Sequence, residues 1–66
     1  MNEHWKKIEH YVHLLNTVMG IRISVEIDGL LGVVKKGGEI IFTTAGPNSQ
    51  AVIEAYLTGF VTALTR

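Results

Sequence analysis

Residues 21–44 read IRISVEIDGLLGVVKKGGEIIFTT, and the rest of the chain is arranged around that stretch. Ile21, Ile23, Val25 and Ile27 alternate with Arg22, Ser24 and Glu26. β-Branched residues at period two predict a half-buried strand over 21–27, because successive strand side chains point to opposite faces. Asp28-Gly29 follows, a dipeptide suited to a two-residue type I′ turn in which both central residues need positive φ. A second strand over 30–36 runs into Gly37-Gly38, which supports another tight turn, and a third strand occupies 39–44. The stretch therefore predicts a three-stranded antiparallel meander.

Two tight turns without a bulge set the register. Ile27 then faces Leu30, Val25 faces Gly32 and Ile23 faces Val34; across the second hairpin Val34 faces Ile41 and Gly32 faces Thr43. These residues, with Ile21, make the face that the helices should cover. The opposite face carries Arg22, Ser24 and Glu26 beside Leu31, Val33, Ile40 and Phe42. Single exposed apolar residues carry no message, but four neighbouring ones point to a contact surface.

On the N-terminal side, Trp5, Ile8, Val12, Leu15 and Met19 step by three and four and predict a one-faced helix over 3–19, with Gly20 as its C′ residue. On the C-terminal side, Pro47 suits a first helical turn, and Gly46, Asn48 or Ser49 can cap a helix over 47–65. Ile53, Leu57, Phe60 and Leu64 form its buried stripe. A line of small residues (Ala51, Ala55, Gly59, Ala63) steps by four, and Ala55 and Gly59 are expected to cross over the hollow at Gly32. Tyr56 and Val61 are then surplus apolar surface and join the candidate interaction residues. The expectation is an α+β fold: one small domain of order α-β-β-β-α, with both helices packed mainly on one face of the sheet.

A chain of 66 residues has room for one core, and ordering it costs about what its apolar burial returns. Small domains close that gap with disulfides, a metal or oligomerisation. Cysteine is absent, which removes disulfides and thiolate metal sites and suits a reducing, cytoplasmic setting. The first residues hold no apolar signal core, and the longest apolar run is too short to span a bilayer. A homodimer or a larger assembly is the expected remedy. Six basic and six acidic residues give zero net charge, against the basic balance of a phosphate-binding protein.

Candidate chemistry is sparse. His10 and His13 lie three apart beside Glu9 on the polar helix face, spacing that lets two ligands meet one ion but supplies no aligned third. Lys35 and Lys36 at the Gly37-Gly38 tip, with Arg22 across the hairpin, make the one basic group able to touch phosphates. No nucleophile adjoins a base, no cofactor motif is present, and the six carboxylates are accounted for by turns, polar helix faces and a rim at Glu26. The element order resembles that of double-stranded-RNA-binding domains in topology. Such domains carry a lysine-rich start to the last helix and a long first hairpin loop. This chain has Gly46-Pro47-Asn48-Ser49-Gln50-Ala51 and Asp28-Gly29 at those places, so the resemblance implies a fold and not RNA binding. The sequence points to a small non-enzymatic regulator or inhibitor, of a size common in bacteria and phages, acting through apolar surface. Nucleic-acid binding through the Lys35-Lys36 hairpin and small-ligand or metal binding are the alternatives.

Overall fold

The computed structural model describes residues 3–65 and has the order α1 (Glu3–Thr17), β1 (Ile23–Asp28), β2 (Leu31–Lys36), β3 (Glu39–Ala45) and α2 (Ser49–Leu64). The strands form one antiparallel sheet, β1-β2-β3. α1 packs on α2 and β1, and α2 reaches β2 and β3, so the chain is the α+β meander with two helices that the sequence predicts. Among the described residues no helix is long and apolar enough to cross a membrane.

The core is a short column. Ile8 and Leu15 of α1, Ile23 and Val34 of the sheet, and Ile53 and Leu57 of α2 are each at most 3% exposed. Each such side chain contributes about 1.5–3 kcal/mol by leaving water. Trp5, Val12, Phe42, Tyr56, Phe60 and Val61 close around them, partly buried. The Ile53–Leu57 part of the predicted stripe is fully buried, but Leu64 at the helix end is 47% exposed.

The elements are a little shorter than predicted. Gly20 (φ +67°) turns the chain after α1, and the Ile21 N–H reaches back to the Leu15 carbonyl at 2.8 Å. α2 begins at Ser49, so Pro47 lies in the turn ahead of it. Asn48 occupies the N-cap without a side-chain bond to the helix. Ser49 instead faces inward, its hydroxyl donating to the Leu30 carbonyl at 2.6 Å, with the Gly46 carbonyl at 2.8 Å. That side chain ties the start of α2 to the first hairpin.

Both hairpins depart from the simple register. In the first, Asp28 pairs with Leu31, so the turn residues are Gly29 (φ +61°) and Leu30. Positive φ at the first central residue only is the type II′ pattern with glycine first; a type I′ turn on Asp28-Gly29 would force Asp28 into the left-handed region. The slip is two residues, so no side chain changes face: Val25 now opposes Val34 and Ile27 opposes Gly32. Leu30, expected on the core face, is an exposed turn residue.

The second hairpin changes more. Lys36 pairs with Glu39 and Lys35 with Ile40, but Val34 pairs with Phe42 and Gly32 with Thr44. Ile41 is the extra residue of a β-bulge. Past it every side chain of β3 lies on the face opposite to that predicted. Phe42 is therefore on the helix side, stacked on Tyr56 with centroids 4.3 Å apart and planes 12° from parallel. Thr43, expected in the core, is exposed.

Gly32 does sit under α2, but not under its small residues. A Cβ at Gly32 would collide with Ile53 Cδ1 and lie 3.2 Å from Thr44 Cγ2. Ile53 fills the hollow. Ala55, Gly59 and Ala63 are exposed, and nothing comes within 4 Å of a Cβ built on Gly59.

Candidate interaction surfaces

The open sheet face keeps three of its four predicted apolar residues. Leu31 is 48% and Ile40 56% exposed, with Val33 half-buried between them. Both β2 and β3 contribute because β-branched and aliphatic residues occupy consecutive positions there, leaving one such side chain for each face. Lys35 Nζ lies 3.1 Å from Glu26 Oε2, a diagonal ion pair at the edge of the patch. Phe42, Tyr56 and Val61 do not join this surface. Phe42 and Tyr56 stack on one another, Tyr56 also meets Phe60 at 6.1 Å, and Val61 packs against the core.

The outward face of α2 carries exposed Val52, Ala55, Gly59 and Ala63. Its threonines satisfy themselves along the helix: Thr58 donates to the Glu54 carbonyl and Thr62 to the Thr58 carbonyl, each at 2.8 Å. Glu54 points toward α1. There it accepts from His4 Nδ1 at 2.5 Å, and Lys7 Nζ stands 3.8 Å from its other oxygen. The hydrogen bond from His4, then the charge of Lys7, hold the Glu54 carboxyl below the ordinary carboxylate range.

The basic and histidine groups are dispersed. Lys35 is engaged by Glu26, and the register sets Arg22 opposite Gly37 rather than beside Lys35, with the Gly37 N–H donating to the Arg22 carbonyl at 2.8 Å. Lys36 is exposed opposite Glu39. His10 lies beside Tyr11, ring centroids 5.8 Å apart, and His13 is exposed. Among the described residues no three His, Cys, Asp or Glu side chains converge as a metal shell.

One feature escaped sequence reasoning. A groove of about 460 Å³ runs between α1 and β1, with Trp5, Ile8, Val12, Ile23 and Val25 as its apolar lining and Glu9, His13, Asn16 and Ser24 as its polar lining. β1 is an edge strand. Because Arg22 bonds to Gly37 across the hairpin, alternation directs the backbone groups of Ser24, Glu26 and Asp28 to β2, and those of Ile23, Val25 and Ile27 outward. Asn16 meets the first of these: its Nδ2 donates to the Ile23 carbonyl at 2.8 Å and its Oδ1 accepts the Ile23 N–H at 3.3 Å. In the sequence Asn16 is one more polar residue on a helix, and nothing local marks its partner.

No protein-family model, curated protein or solved structure matches the chain.

Proposed function

We propose that this chain is a small non-enzymatic protein-interaction module, a regulator or inhibitor, that self-associates as a homodimer through its open sheet face. The observation that carries the reading is the Leu31/Val33/Ile40 patch, two of whose members are about half exposed on the face that neither helix covers. Two further features support it. Among the described residues the core holds six buried apolar side chains, so covering a second apolar face adds materially to stability. The basic hairpin, the alternative site, has Lys35 paired with a carboxylate. Tyr56 and Val61 face inward, which favours the sheet over the helix as the joining surface.

A face three strands wide and six residues long measures about 15 by 20 Å, less than a standard stable interface. The dimer is therefore weak, and its test is a concentration series. Sedimentation velocity should show wild type gaining mass with concentration while Val33→Glu and Ile40→Asp remain monomeric and folded. Equal sedimentation of all three proteins refutes the sheet face as the interface.

A further inference from the structure

The charges of the open sheet face are ordered along β1. Alternation puts Arg22, Ser24, Glu26 and Asp28 on that face, with Lys35 of β2 opposite Ser24. Glu26 and Lys35 satisfy each other at 3.1 Å. Arg22 and Asp28 are exposed, and among the described residues neither side chain has an ion-pair or hydrogen-bond partner. The face thus carries a free cation at one end of β1 and a free anion at the other. They stand about 20 Å apart along the extended chain, too far to meet within one copy.

We infer that the homodimer stacks its two sheets end for end, β1 over β1 with strand directions opposed, so that Arg22 of each copy meets the partner's Asp28. This arrangement rests on the sheet-face dimer proposed above and adds which way round the copies lie. A two-fold axis across the strands, at the level of Val25 and Val34, exchanges the two ends of the face. It sets Arg22 against Asp28 twice, Glu26 against the Ser24 hydroxyl, and the aliphatic stem of Lys35 over Val33. Stacked sheets lie about 10 Å apart, a gap that an arginine and an aspartate span from opposite sides.

The other way of stacking aligned sheets places the axis along the strands. β1 of one copy then lies over β3 of the other. Lys35 meets Lys35, Asp28 faces Ala45, and Arg22 faces the Gly37-Gly38 turn. Like charges are opposed there, and both free charges stay unpaired. Only the end-for-end stack satisfies every charge on the face.

The test is a charge exchange followed by sedimentation in 0.15 M salt. Arg22→Asp and Asp28→Arg each set like charges together at two symmetry-related contacts, and each should weaken the dimer by about fivefold or more. The double variant Arg22→Asp/Asp28→Arg has the wild-type net charge and should return to within about twofold of wild type. Within one copy the two positions are separated by more than two Debye lengths of about 8 Å, so recovery comes from contact between copies. A second measurement avoids these substitutions. The chain has no cysteine, so a nitroxide on Ala45→Cys has one place to attach. Mixed with ¹⁵N-labelled wild type, it should broaden the wild-type signals of Gly38, Glu39 and Ile40 most strongly. The arrangement is overturned by broadening centred on Ile27, Asp28 and Gly29, or by a double variant as weak as the sum of its singles. In either case a wild type that gains mass with concentration, and loses that gain on Val33→Glu, leaves the sheet-face dimer standing. A wild type that stays monomeric overturns both.

Discussion

Replacing Gly32 by alanine adds one methyl group at the point where β2 meets α2. Two opposing effects follow. Gly32 is not in the left-handed region, so alanine fits the backbone and restricts the unfolded chain, a gain of about 0.5–1 kcal/mol. Against this, the new Cβ runs into Ile53 Cδ1 and crowds Thr44 Cγ2. Ile53 is fully buried and has no open side to turn into, so the overpacking cost of about 1–3 kcal/mol applies. The net expectation is a loss of about 1–2 kcal/mol. In a domain of this size that lowers Tm by about 5–15 °C, readable by circular dichroism and by urea unfolding at fixed protein concentration. Ile53→Val removes the colliding Cδ1. Alone it costs about 0.5–1.5 kcal/mol, whereas in the Gly32→Ala background it should cost little or restore stability. The two changes are thus coupled by about 1 kcal/mol. Gly32→Ala as stable as wild type, or a strictly additive double variant, would refute the packing of Ile53 into this hollow.

Two further outcomes follow from α2. Gly59→Ala should act in the opposite sense to Gly32→Ala, stabilising by about 1 kcal/mol in thermal unfolding, because the helix interior disfavours glycine and the added Cβ meets nothing; destabilisation would show that this face is packed. Glu54 has its carboxyl held low by His4 and Lys7, so its pKa is lower folded than unfolded. Its contribution is complete above the unfolded value and is lost as pH falls through the folded one. Glu54→Gln should therefore lower urea stability at neutral pH and converge with wild type in acid below the carboxylate range; an unchanged difference across that range would refute the clasp.

How much was legible depended on whether a second reading of the same residues existed. β1 alternates without ambiguity, and its faces survive the two-residue slip of the first turn because the slip is even. β3 is different. Ile40, Ile41 and Phe42 are consecutive apolar residues, so either parity gives an apolar core face, and the pattern that normally fixes register is silent. The bulge at Ile41 was invisible for that reason, and Phe42 with it. The small-residue line of α2 could have been placed. Each helical step turns the chain by about 100°, which puts Ala55 and Gly59 on the far side from Ile53 and Leu57, the residues with the strongest claim to burial. Asn16 could not have been found, because its role depends on a strand edge that exists only after the helix has packed.

The two free edges of the sheet are defended differently. On β3 the bulge interrupts the ladder, and bulged edges pair poorly with another strand. β1 is regular over its whole length, so its protection comes from side chains: Asn16 closes the Ile23 rung, and the Glu26–Lys35 pair and Asp28 put charged groups on the open face. An edge defended in this way resists sheet-to-sheet growth. The self-association we propose uses the Leu31/Val33/Ile40 face, where Lys35 and Glu26 carry both signs and two copies can be turned to set unlike charges together.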